Sequence, residues 1–274
     1  MPPPDHTPAQ QPAGPGYPDP ATARMPPPEE QTSRRGDPLT VALVVLIVFA
    51  VVIAALLGGE LFARHKANTI VAKAVSCVVQ DSASASFGLR PFLLQHFTHS
   101  YRDMVVETSG NQVREAKGMK LRLRLDDVRM NQTAESAGTL GAMDADVTWS
   151  ADGIKETVQG MIPLLGGLVS SVSTEPSKGT IELQGPLGSV TIAPTIADEQ
   201  LALAVVSVTG LGFTLPSESV QPALDAFTKA LTANLPMGIH AESVGVSDSG
   251  VTARYVTRDA TIPNGAQDPC FQGL

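Results

Sequence analysis

Few residues of this chain stand in patterns that do covalent chemistry. His96 and His99 are spaced i,i+3, which sets two imidazoles on one helical face, but zinc normally needs three or four ligands and no further His or Cys stands near them. Asp126, Asp127, Asp144 and Asp146 offer paired carboxylates of the kind that share acid and base roles. They fall in alternating strand contexts, where a solvent face accounts for them more simply. The sequence holds no G-x-S-x-G elbow, no P-loop, no complete G-x-G-x-x-G fingerprint and no H-E-x-x-H pair. The expectation is a non-enzymatic protein with no catalytic residues, no metal and no cofactor.

Two other groupings carry physical meaning. Lys120, Arg122 and Arg124 alternate with apolar residues and therefore share one face of a strand. Such a stripe can meet anionic lipid headgroups, at up to about 1 kcal/mol per charge beside a membrane. A solvated face balanced by Glu115 and Asp126 is the alternative. Cys77 and Cys270 are the only cysteines. In an oxidising compartment they would staple the two ends of an exported domain, whereas two unrelated thiols are the alternative, because sequence does not fix their separation. A net charge of -8 without a basic footprint argues against nucleic acid as a partner. Asn131-Gln132-Thr133 matches a glycosylation acceptor, a pattern common by chance.

The element that must position all of these is LTVALVVLIVFAVVIAALL, from Leu39 to Leu57, which has no charged side chain. At about 1.5 Å per helical residue it is long enough for a hydrocarbon core of about 30 Å. A cleaved signal peptide is the competing reading, but its apolar region is usually shorter, roughly 7–15 residues, and Gly58 to Arg64 offers no good A-x-A site. Residues 39–58 are therefore expected to anchor the chain in the plasma membrane. Basic residues flank the run on both sides and do not orient it. Composition does: residues 1–38 hold more than half of the 22 prolines and read as a disordered cytoplasmic tail. Residues 59–264 read as an extracytoplasmic domain, followed by a tail at 265–274. The protein partner, if any, is unknown.

Within the domain, residues 60–80 predict an amphipathic helix with Leu61, Ile70, Ala74, Cys77 and Val78 inward and Arg64, Asn68 and Lys73 outward. A dense apolar patch follows, containing Phe87, Leu89, Phe92, Leu93, Leu94, Phe97 and Tyr101. Strands are predicted at 104–108 and 112–116 as a hairpin, at 119–130 with a bulge at Asp126-Asp127, and through Met143, Ala145, Val147 and Trp149. Gly153 to Val172 reads as a helix broken by Pro163 and Gly166-Gly167, covering apolar surface as a packing element or a gate. Strands at 180–183, 189–193 and 201–208 follow, the last buried on both faces. A helix from Ser219 to Leu235, carrying an Asp225/Lys229 pair, precedes a hairpin of 239–246 and 251–258. Strands following strands over short turns give an α+β class with an antiparallel sheet.

ANTIVAKAVSCVVQ from Ala67, SFGLRPFLLQ from Ser86, Tyr101-x-x-Met104-Val105-Val106 and KLRLRLDDVRM from Lys120 together resemble the LmeA-like (DUF2993) phospholipid-binding proteins of actinobacterial cell envelopes. The resemblance implies a non-catalytic protein outside the plasma membrane that binds phospholipids, phosphoinositides among them, and supports lipid or lipoglycan assembly. It also implies a curved antiparallel sheet wrapping long helices, as in tubular lipid-binding folds, with an apolar groove. Phe87, Phe92, Leu93, Leu94, Phe97, Tyr101, Met161, Leu165, Leu168, Phe213 and Phe227 would then line the groove or its mouth. A non-catalytic envelope scaffold that meets a protein through the apolar patch is the alternative.

Overall fold

The computed structural model describes residues 37–161, 169–210, 212–232, 235–264 and 270. The chain divides into two units, residues 1–51 and 52–274. In the first unit the described residues from Pro38 onward are helical, the opening turns of α1 (Pro38–Val79). Their large apolar side chains, Leu39 to Val51, are half or more exposed. A continuous helix satisfies its own backbone, so it is a structure that such a sequence can hold in hydrocarbon. By length and composition α1 is the one candidate membrane-crossing helix among the described residues.

In the second unit, α1 runs on through Gly58-Gly59 to Val79 and is followed by β1 (Ala83–Phe87), α2 (Phe92–Thr98), β2 (Ser100–Tyr101), β3 (Met104–Thr108), β4 (Gln112–Val113), β5 (Ala116–Lys117), β6 (Met119–Arg129), β7 (Ser136–Ser150) and α3 (Ala151–Met161). Then come β8 (Ser171–Glu175), β9 (Thr180–Gly185), β10 (Gly188–Ala197), β11 (Gln200–Gly210), β12 (Phe213–Leu215), α4 (Gln221–Thr232), β13 (His240–Ser247) and β14 (Gly250–Pro263). A seven-stranded sheet has the order β1-β3-β6-β7-β14-β13, with β2 also on β6, and a five-stranded sheet has the order β12-β11-β10-β9-β8. Every pairing is antiparallel, so the class is α+β. Register shifts at Thr191/Ile192, Ala241/Ser243 and Ile262/Pro263 bend both sheets. The core of the larger sheet is Val128, Leu140, Met143, Ala145 and Ala260, flanked by Tyr101, Leu123, Leu125 and Tyr255.

Several expectations need correction. The 104–108 and 112–116 hairpin does not form: β3 pairs with β1 and β6, and the short β4 pairs with β5. The parity switch in β6 is real but involves no inserted residue, since Asp126 faces Ala142 and Val128 faces Leu140 in unbroken register. Asp127 instead takes a left-handed φ of 53°, and Gly141 leaves room for it: a Cβ there would lie 2.9 Å from that of Asp127. Of the broken helix predicted at 153–172, residues up to Met161 lie in α3 and Val172 sits in β8, while Pro163, Gly166 and Gly167 fall outside the described residues. The strand predicted at 201–208, which is β11, is not buried on both faces: Val208 is 4% exposed but Val206 is 56%. The helix predicted from Ser219 is α4, preceded by a 3-10 turn at Ser217–Ser219, and Asp225 accepts from Gln221 Nε2 at 2.7 Å.

Candidate functional site

The inward face of α1 is only partly the one that periodicity predicts. Ala74 is buried, Val78 part-buried and Lys73 exposed as expected, but Leu61, Ile70 and Cys77 are exposed, whereas Arg64 and Asn68 are part-buried. Arg64 is tolerated there because its guanidinium donates to Arg90 O at 2.8 Å and Phe87 O at 3.5 Å and lies 3.6 Å from the Glu60 carboxylate. Glu60 in turn accepts the backbone N–H of Phe92 and, at 2.9 Å, that of Leu93. Two charged residues of α1 thus hold the chain on either side of the Gly88–Pro91 turn. Neither role was legible beforehand; the i,i+4 spacing of Glu60 and Arg64 is the one local signal.

On this base the structure gathers part of the predicted aromatic set. Phe87 and Phe92 are buried with ring centroids 5.0 Å apart, and Tyr101 lies 6.0 Å from each. His96 stacks on Phe92 at 6.2 Å, and its Nδ1 is 3.2 Å from the Tyr101 hydroxyl, whose pKa burial pushes up. His99 is 6.3 Å from His96, ring to ring, and among the described residues no group of three metal-binding side chains forms. Leu93 is half-buried, but Leu94 and Phe97 turn outward, 61% and 77% exposed. Met161 lies in α3 and Phe213 in β12, both exposed and in elements other than the aromatic cluster. Phe227 belongs to α4, and Leu165 and Leu168 fall outside the described residues.

The far end of α1 is tied down twice. Cys77 is bonded to Cys270 with a Cα separation of 5.5 Å. Just beyond the helix, the Asp81 carboxylate accepts from the N–H groups of Gly110 and Asn111 and from Asn111 Nδ2, at 2.9–3.0 Å. Burial works to raise the Asp81 pKa, but these donors and the Ser82 N–H outweigh it and hold it below the usual value.

The basic stripe is matched by carboxylates other than Glu115 and Asp126. Lys120 and Arg122 lie 2.5 and 3.7 Å from Glu107, and Arg124 lies 3.2 Å from Asp146. The network continues through Arg254, 2.8 Å from Asp144 and 3.0 Å from Glu242, and through Arg258, 3.0 Å from Asp144. Five cations thus face four carboxylates. This face is a ladder of alternating sign, in which hydrogen bonds from Lys120 and Arg254 hold Glu107 and Asp144 below the usual carboxylate range.

Residues 54–255 match the family described as LmeA-like phospholipid-binding. The chain is also 53% identical over 248 residues to an uncharacterized protein of Mycobacterium tuberculosis and to one of Mycobacterium bovis, matches that cover 89% of this chain and 71% of each relative. No solved structure matches it.

Proposed function

Since the chain belongs to the LmeA-like phospholipid-binding family, we propose that it is a single-pass membrane protein whose folded part lies outside the plasma membrane, binds phospholipid without altering it, and supports assembly of envelope lipids or lipoglycans. The observation that carries this reading is the extent of the family match, which begins inside the apolar run at residue 54 and takes in nearly all of the second unit. Phosphoinositides are the leading ligand class by that kinship. The chemistry of binding is burial of acyl chain, about 0.8 kcal/mol per methylene, against aliphatic and aromatic side chains. Leu93, Met161 and Phe213 are the residues we assign to the groove or its mouth. The ion-pair ladder on Lys120, Arg122 and Arg124 is the candidate headgroup contact.

The test is retention of lipid by the full chain. The protein is purified in detergent, offered mixed phospholipids including phosphatidylinositol, and stripped of detergent in native mass spectrometry. One phospholipid held per chain supports the reading. A chain that holds none, and exchanges no labelled phosphatidylinositol between vesicles, overturns it in favour of a scaffold. Protease added outside intact spheroplasts should cut the folded part; full protection would place it in the cytoplasm.

A further inference from the structure

The two faces of α2 meet different surroundings. Phe92 and Gln95 point into the domain, 7% and 5% exposed, whereas Leu94 and Phe97 on the other side are 61% and 77% exposed, and Leu89 before the helix is 99% exposed. On α1, Leu61 and Phe62 are 69% and 65% exposed. Large apolar side chains concentrated in this way mark an interaction surface. Its level along α1 says what it meets. The contacts step down toward the apolar run: Arg64 bonds Arg90 O, Glu60 bonds the N–H groups of Phe92 and Leu93, and a Cβ on Gly59 would sit 4.0 Å from Leu93 Cδ1.

Leu57, the last residue of that run, precedes Glu60 by three positions, about 4.5 Å along a helix. Val52 to Leu57, in the same unit, expose their apolar side chains as well. So α2 attaches within one turn of the point where α1 leaves hydrocarbon, at a depth occupied by headgroups. Lys66 holds its ammonium 5.8 Å over the Phe62 ring, and the Arg90 side chain is more than half exposed. Long cationic side chains beside an apolar patch can keep their stems on it and their heads at phosphate.

We propose that α2 and the turn before it lie in the boundary between headgroups and acyl chains of the bilayer that α1 crosses, with Leu89, Leu94 and Phe97 inserted and Lys66 and Arg90 at the phosphates. The domain is then held to the membrane at a second point beside its anchor. This goes beyond lipid binding, and it stands whether or not the domain carries a lipid of its own.

The full chain in nanodiscs of phosphatidylcholine and phosphatidylglycerol tests it. Its single tryptophan, Trp149, is removed as W149F, and F97W, L94W or L187W is added; Leu187 is an exposed apolar residue of the smaller sheet's β9–β10 turn. Emission from F97W and L94W should shift to the blue and lose intensity when the lipids carry bromine near the glycerol end of the chain, while L187W does neither. Water-like emission from both variants overturns the proposal. A blue shift indifferent to bromine also overturns it, because a protein neighbour or a second copy then covers the patch. Matching thermal unfolding of the variants shows that the readings come from the native fold.

Discussion

Leu93 donates its backbone N–H to Glu60 Oε2 at 2.9 Å across 33 positions of sequence, and Phe92 donates to the other oxygen. The residue at the N-cap of α2 is Pro91, which has no side-chain acceptor, and no local side chain caps the helix. A carboxylate from α1 takes that office, satisfying donors that every helix leaves open. Replacing Glu60 with Ala should cost about 0.5–2 kcal/mol, the range for loss of an N-cap. Glu60→Gln, with one acceptor oxygen left, should fall between. Thermal unfolding of the full chain in detergent measures both; an unshifted midpoint for Glu60→Ala would mean that water replaces the cap without loss.

The bridge between Cys77 and Cys270 closes a loop with a sequence separation of 193. Loops of this size gain most in the chain-entropy account, and a loss of about 2–5 kcal/mol is expected for the Cys77→Ser, Cys270→Ser pair. Thiol titration of unreduced, unfolded protein should find none free, and two after reduction. The unfolding midpoint should drop on reduction and in the double variant alike.

α3 meets β5 and the Gly118 link that leads into β6 through a close approach of two glycines. A Cβ on Gly153 would lie 2.2 Å from Lys117 O and 2.7 Å from Gly118 Cα. The contact is fastened by Lys117 N–H on Thr157 Oγ1 at 2.9 Å and by Trp149 Nε1–H on Lys117 O at 2.8 Å. Thr157, 1% exposed, also donates to Gly153 O at 2.7 Å. Gly153→Ala should therefore destabilise by about 1–3 kcal/mol, as overpacking does, although Ala is the better helix former. Gly160→Ala, with nothing among the described residues within 4 Å of its Cβ, is the control and should be neutral or stabilising.

What was legible in the sequence divides along a physical line. The apolar run announced α1 because side chains that meet lipid need no pattern, and β9, β10, β13 and β14 were legible because hairpins pair neighbours over short turns. Contacts between distant segments left no such trace. Arg64 reads as a solvent residue, since its carbonyl partners stand 23 and 26 positions away. Gly153 reads only as a helix start, since the Lys117 and Gly118 backbone that requires it belongs to another element. The 104–108 strand reads as half of a hairpin because a turn signal follows it, but its partners are β1 and β6 from other parts of the chain. Of the candidate site, the burial of Phe87 and Phe92 was visible as apolar density, but the outward turn of Leu94 and Phe97 was not.

Acid should weaken the fold in one direction. Asp81, Asp127, Asp144 and Glu107 all sit below their ordinary values of 3.8 for Asp and 4.5 for Glu; a hydrogen bond from Arg129 is the leading cause at Asp127. A carboxylate depressed in the folded state contributes stability at every pH above its unfolded value and loses it as pH falls through the folded one. The unfolding midpoint should thus be flat from neutrality to about pH 5 and fall below about pH 4. Asp81→Asn should lower the neutral plateau and reduce the acid slope. Added salt should weaken the exposed Glu107 pairs more than the Asp81 clamp. A midpoint that rises in acid would contradict this arrangement.

Phe92 and Phe97 make the sharpest contrast, because they lie five residues apart on one short helix and read alike in the sequence. Phe92 is 7% exposed and packs edge-on against Phe87, so Phe92→Ala removes a core ring and should cost about 3–5 kcal/mol. Phe97 is 77% exposed, so in detergent Phe97→Ala should change stability by less than about 0.5 kcal/mol. The order should change in a bilayer. If the outer face of α2 is embedded, Phe97→Ala forfeits part of the roughly 1.5–3 kcal/mol that burying a large apolar side chain gives. Its unfolding midpoint in nanodiscs should then fall relative to the parent chain, while the penalty for Phe92→Ala stays the same in both media. Equal behaviour of Phe97→Ala in detergent and nanodiscs, with the micelle chosen too small to cover α2, would return that face to water.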